Sequence, residues 1–274
     1  MQIINIIVSG LLTLVSPVGA VFDRVAEKAV LDQLYAAEEL EVRVDNTPNY
    51  QLLQGKIDRL RFAGRGLYLT PEFRIDTIEF ETDPLDVDLE RLRAENQGSV
   101  PQFLRQPLQG AIRLVLTEAD LNQALRSPAV LEQLRQGQGT FSEGTEAESL
   151  LQRYQLVNPE IDFLGENRLS LQAEIQDQRD NDRLTVRIES EVRVVEGSKI
   201  NLVNPKLWLN DEEAPANISR VLAKFVNQKL DLTSFDSQGL QARVIQLNMN
   251  GEQIEIVSFL RIDNAKVAAT LNQR

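Results

Sequence analysis

Apolar residues along the chain recur at helical spacing in some stretches and at every second position in others, and the changeovers mark its elements. Between Phe22 and Leu34 they fall at Phe22, Val25, Ala26, Ala29, Val30 and Leu34, with Asp23, Arg24, Glu27 and Lys28 between them. That spacing predicts an amphipathic helix. Glu38 and Glu39 read as solvated surface at its end. Leu40, Val42 and Val44 then alternate with Glu41 and Arg43, the signature of a half-buried strand, which Asn46, Thr47 and Pro48 should end.

The alternation continues with local slips through Ile57, Leu60 and Phe62, then Leu67 and Leu69, then Phe73 and Ile75, then Ile78 and Phe80. One-residue slips predict bulges that bend a sheet, with Gly64 and Gly66 at one such bend. Leu85, Val87 and Leu89 extend the pattern beyond Pro84, and Ile112, Leu114 and Leu116 form a clean run. Thr117 with Asp120 behind it predicts a helix N-cap, with Leu121, Ala124 and Leu125 on the buried side. Ser127-Pro128 restarts a helix through Val130, Leu131 and Leu134, and the polar stretch from Gly137 to Ser149 reads as a loop.

Strand spacing returns at Ile161 and Phe163, at Leu169 to Ile175, and in a long run from Leu184 to Val194. Ile200 with Leu202, and Leu207 with Leu209, continue it as far as an acidic turn. Pro215 to Leu230 gives the clearest helix: Ile218, Val221, Leu222, Phe225, Val226 and Leu230 share a stripe, with Arg220, Lys224 and Lys229 off it. Leu240, Ala242, Val244 and Leu247 lead to Asn250-Gly251, a hairpin turn expected to be of the primed type, and Ile254, Ile256 and Phe259 close the pattern.

Strands with one apolar face thus outnumber helices by more than two to one, and so many inward side chains need a covering surface. A curled sheet supplies it. The fold class expected is α+β, a strongly curved antiparallel β-sheet wrapped around one or two amphipathic helices. Any volume the helices leave unfilled is an apolar groove.

Composition narrows the chemistry. Without histidine or cysteine there is no imidazole base, no thiolate and no disulfide. A net charge of −12 argues against nucleic acid and against a polybasic grip on anionic headgroups. No charged side chain precedes Asp23. The apolar run from Ile3 to Val15 therefore reads as a secretory h-region ending near Val18-Gly19-Ala20, as a short membrane anchor, or as a segment buried in the protein's own core.

No stretch reads as catalytic. Gly137-Gln138-Gly139-Thr140 has no buried strand before it, so it is a flexible tip and not a phosphate loop. Asp211-Glu212-Glu213 reads as a dipole-favouring cap ahead of the late helix and not as a calcium site. No cofactor and no metal is called for. Lipid handling needs only a continuous apolar lining, since an acyl chain of roughly sixteen carbons resists entering water by about 12 kcal/mol at about 0.8 kcal/mol per methylene. The candidate lining is Leu60, Phe62, Leu67, Leu69, Phe73, Ile75, Ile78 and Phe80 from the sheet, with Ile218, Val221, Leu222, Phe225 and Val226 from the late helix.

Several of these stretches together resemble the LmeA-like phospholipid-binding family. They are the helix ending near Leu34 with the strand Leu40 to Val44, the segment Gly55 to Phe80 centred on Gly64-Arg65-Gly66-Leu67-Tyr68-Leu69, the strand and helix Gly110 to Leu125 with Thr117-Glu118-Ala119-Asp120-Leu121-Asn122, and the late helix running into Asn227-Gln228-Lys229-Leu230-Asp231-Leu232. The likeness spans about Phe22 to Ile262. It implies a tubular lipid-binding (TULIP) fold, phospholipid as partner and a cell-envelope location, periplasmic or membrane-associated. It hands over no catalytic residue.

The expected organisation is a signal peptide or membrane-associating segment over 1–21, one lipid-binding domain over 22–263 and a tail over 264–274. The expected function is a non-enzymatic phospholipid carrier or envelope-maintenance protein touching a membrane surface. The rival is a non-catalytic envelope interaction module whose core is fully packed and whose acidic surface binds a protein partner.

Overall fold

A computed structural model describes residues 31, 34–94, 103–128, 130–131, 154–177, 180 and 182–263. The helix expected from Phe22 lies almost wholly outside these, as do the apolar N-terminal run, the Gly137 to Ser149 loop and the tail. In chain order the strands are β1 (Ala36–Asp45), β2 (Lys56–Ile57), β3 (Arg59–Thr70), β4 (Phe73–Thr82), β5 (Leu85–Asp86), β6 (Leu108–Thr117), β7 (Tyr154–Gly165), β8 (Arg168–Asp177), β9 (Arg183–Val195), β10 (Lys199–Leu209), β11 (Glu212–Glu213), β12 (Leu240–Met249) and β13 (Gln253–Ile262). The helices are α1 (Leu89–Ala94), α2 (Glu118–Leu125) and α3 (Ala216–Lys229).

The class is α+β and antiparallel, as the alternation implies. The strands, however, divide between two main open sheets. One has six strands in the order β1-β3-β4-β6-β13-β12, the other five in the order β11-β10-β9-β8-β7, and β2 pairs with β5 separately. Alternation tells which face of a strand is apolar but not which partner the strand takes, so this division was not legible in the pattern.

The first sheet is apolar on one face only. Cross-strand rows run through it, as in Val42, Phe62, Phe80 and Ile112, and they bury a cluster that Ile57, Leu85, Val87, Phe103 and Leu104 complete. On the opposite face, ion pairs link Arg61 to Asp45 and Glu81, and Arg113 to Glu79 and Glu255. Gly66 sits where the inward-facing set slips from Leu60, Phe62 and Gly64 to Leu67. Its φ is +56°, which favours glycine, and an added Cβ would lie 2.1 Å from the Glu38 carboxylate carbon and so would push that side chain aside.

The second sheet buries its own cluster, Phe163, Leu169, Ile188, Val192, Leu202 and Leu207, with Ala223 of α3 and Met249 of β12. α2 packs against both β4 and β7 and so links the two sheets. A second joint lies at the Glu166-Asn167 hairpin turn, where φ is positive at both residues. Asn167 donates its backbone N–H to Met249 O at 3.1 Å, accepts from Met249 N on its side chain at 2.7 Å, and accepts from Val192 N on its carbonyl at 2.7 Å.

Four local expectations need correction. Glu38 and Glu39 are not helix surface but lie in β1, where Glu38 accepts from Arg74 Nε at 3.2 Å. Leu89 opens α1, so the strand beyond Pro84 is only the two-residue β5. The Asn250-Gly251 turn is not primed, since neither residue takes a positive φ; the Asn250 side chain instead accepts from Glu252 N at 2.8 Å and Gln253 N at 2.9 Å. That local bond offers asparagine an alternative to the left-handed conformation. Finally, the acids 211–213 do not cap α3: Asn210 and Asp211 form a positive-φ hairpin turn, Glu212–Glu213 pairs with Trp208 and Leu209, and Pro215 is the N-cap.

Candidate lipid-binding site

Eight of the candidate lining residues gather on the inner face of the β3–β4 hairpin. Leu60, Phe62, Leu67, Ile75, Ile78 and Phe80 are buried members of the first cluster, and Leu69 and Phe73 pack half-buried against it at the hairpin end. Register explains the grouping: Phe62 faces Phe80 and Leu67 faces Ile75 across the ladder, while the Leu67 side chain leans over Gly64. The same face extends to Leu40 and Val44 on one side and to Ile112, Leu114 and Leu116 on the other, all half-buried.

The helix residues are placed elsewhere. Val226 packs half-buried against the second cluster, Ile218 is 43% exposed at the start of α3, and the side chains of Val221, Leu222 and Phe225 lie outside the described residues. Of the helix set, then, Val226 alone is seen against a cluster, and that cluster is not the one the sheet residues form.

α2 is positioned as its sequence implies. Thr117 is its N-cap, accepting from Asp120 N at 3.1 Å. Asp120, buried, accepts from Thr117 Oγ1 at 2.7 Å and from Arg74 Nη1 at 2.9 Å. Arg74 also meets Glu38 and Asp76, and these hydrogen bonds, Glu38 foremost, raise its guanidinium above the ordinary value against the cost of burial. It stays a fixed cation tying β1, β4 and α2. Among the described residues no acidic group is arranged to hold a metal ion.

Two asparagines close the edges of the second sheet. Asn122 of α2 donates to Ile161 O and accepts from Ile161 N, both at 2.8 Å, on the outer edge of β7. Asn227 of α3 accepts from Leu202 N at 2.7 Å and donates to Leu202 O at 3.4 Å on the edge of β10. A primary amide presents the same donor and acceptor as a neighbouring strand, so each satisfies an edge that would otherwise be open.

Among the described residues, surface grooves open at places that include the following three, none of these lined by the candidate residues. One lies on the polar face of the first sheet beside Glu39, Arg65 and Glu79, and one of about 620 Å³ lies at the end of α2 beside Glu72, Gln123 and Arg126. The third, of about 380 Å³, lies between α3 and β10, with Leu202 and Ala223 at its base. The sequence signal for this last groove was present in the charges: four of the seven lysines, Lys199, Lys206, Lys224 and Lys229, fall in β10 and α3.

With an apolar sheet face and its polar clamps in place, the comparison with family models is decisive. The model of LmeA-like phospholipid-binding proteins matches residues 15–258. The chain belongs to that family. The LmeA-like match takes in both sheets except the last four residues of β13, and with them the asparagine clamps and the β3–β4 inner face. No curated protein and no solved structure matched the chain. The LmeA-like family is a phospholipid-binding one, and phospholipid is accordingly the ligand class to which this chain is tied. No helix among the described residues is long and apolar enough to cross a membrane.

Proposed function

We propose that this chain shelters the acyl chains of a phospholipid on its apolar interior and carries or retains that lipid in a cell envelope, without catalysis. Family membership carries the reading. The continuous apolar face of the first sheet supports it, because half-buried Leu40, Leu69, Phe73, Ile112 and Leu114 adjoin the buried cluster and could extend a lining. In this proposal the sheets curl around the amphipathic helices in a TULIP-like tube, bringing the α3 stripe toward the β3–β4 residues. Residues 22–263 act as one lipid-binding domain, and residues 1–21 direct export or hold the protein at a membrane surface.

A second reading, the packed interaction module, is favoured by one observation: Leu60, Ile75 and Ile78 are at most 1% exposed, as in a filled core. Native mass spectrometry of protein purified without detergent separates the two. Phospholipid-sized adducts are the expected result. A clean apo mass, with no uptake from vesicles, would leave the interaction module standing.

A further inference from the structure

We infer that the groove between α3 and β10 is a binding site for a phosphate group, with the headgroup of an anionic phospholipid as its expected source. This rests on the lipid-binding reading and adds a place and a charge preference to it. In a chain with 41 acidic and 29 basic residues, a groove lined by more cations than acids is out of keeping with the overall charge. α3 has no Asp or Glu over Ala216–Lys229, yet it contains Arg220, Lys224 and Lys229.

Lys199, Arg220 and Lys224 line the groove against a single lining acid, Asp231. Lys199 is already answered, since its ammonium lies 2.6 Å from Glu196 and that bond raises its pKa above the ordinary lysine value. Arg220 spends Nε on Ala216 O at 3.1 Å, and neither its terminal nitrogens nor the Lys224 ammonium has an acidic partner among the described residues. Asn201 and Gln228 add neutral amide donors at the rim. Arginine, lysine and amide donors converging on one hollow are the set that phosphate oxygens accept from.

The base of the groove has the opposite character. Leu202 is 5% and Ala223 4% exposed there, with Pro205 beside them, and both buried residues belong to the second cluster. A ligand with a charged head and an apolar continuation matches that gradient. At about 380 Å³ the groove suits a headgroup and not a pair of acyl chains, being at the small end of the roughly 300–1000 Å³ of ligand pockets. The register of β10 shifts between Val203 and Lys206 beside it, and Asn227 fixes the helix to the strand, so the hollow is built by both elements.

The test uses the full chain with Arg220→Glu/Lys224→Glu, the milder Lys224→Gln, and Lys206→Glu as a charge-reversal control outside the groove, its change of −2 lying between the −1 of Lys224→Gln and the −4 of the double variant. Binding to phosphatidylglycerol and phosphatidylcholine vesicles is measured at roughly 0.1 M salt, where distant charges are screened. Inorganic phosphate is titrated separately, and Trp208 emission with thermal melting checks folding. The double variant should lose about tenfold or more in affinity for phosphatidylglycerol, Lys224→Gln part of that, and Lys206→Glu little, with phosphatidylcholine binding unchanged. Phosphate binding by the parent that the groove variants abolish, without preference for phosphatidylglycerol, upholds the site and makes free phosphate its source. Vesicle binding that the folded groove variants leave intact, or that Lys206→Glu weakens equally, overturns the site alone. Parent protein that binds neither vesicle nor phosphate overturns both the site and the lipid reading.

Discussion

At the scale of single residues, the most informative feature is that polar side chains finish what the backbone leaves open. Asn227 and Asn122 each meet both the N–H and the C=O of one edge residue. Replacing either by leucine preserves bulk but strands two backbone groups, so we expect a loss of about 1–3 kcal/mol each in urea unfolding, against a much smaller effect for the exposed Gln228→Leu. Equal effects at all three positions would refute the clamp. Such roles are not legible from pattern alone, because an asparagine in a helix gives no sign of the strand it reaches 25 or 39 positions away. Thr117 was legible because its bond to Asp120 N is local. Asn250 misled for the same kind of reason: two local conformations compete there, and the side-chain bond to Gln253 N wins.

At the scale of elements, the β3–β4 hairpin presents both kinds of position needed to tell a lining from a core. Ile78 is wholly buried, whereas Leu69 lies half-buried at the hairpin end, next to the bulge after Tyr68. Enlarging Ile78 to tryptophan should overpack the cluster and cost about 1–3 kcal/mol or more. Leu69→Trp should melt close to the parent and, on the lipid reading, carry less co-purified phospholipid. If Leu69→Trp is destabilised as severely as Ile78→Trp, that end of the hairpin is core and the lining must lie elsewhere. Unlike the two-residue β5 and β11, the long strands were largely legible from alternation, down to the inward set of β3. Their partition was not: nothing in the spacing of Leu184 to Val194 distinguishes a neighbour in the second sheet from one in the first.

At the scale of the whole molecule, two sheets with apolar inner faces are held together by α2, by Asn167 and by Gly197, whose carbonyl accepts from Val244 N at 2.6 Å. The chain as a whole carries an excess of acid, and its interplay with pH is the remaining prediction. Arg193 holds Glu191 below the ordinary carboxylate value, Lys199 does the same for Glu196, and bonds donated by Thr233 do so for Asp231. A carboxylate whose pKa is lower folded than unfolded binds its proton more readily in the unfolded chain. Its stabilisation is therefore complete above the unfolded value and vanishes as pH falls through the folded one. The window lies below the ordinary values of 4.5 for glutamate and 3.8 for aspartate. All three groups are well solvated, so each contribution is small, but in that window neutralising the 41 acids also turns a net charge of −12 toward the +29 of the bases and adds repulsion. Urea midpoints should thus hold steady from neutral pH to about pH 5 and fall steeply toward about pH 3. Glu191→Gln/Glu196→Gln should be less stable than the parent at neutral pH, with the gap narrowing as pH falls below the ordinary glutamate value and the parent's own carboxylates take up protons. A gap of the same size at both ends would show that these side chains stabilise the fold by packing and not by charge.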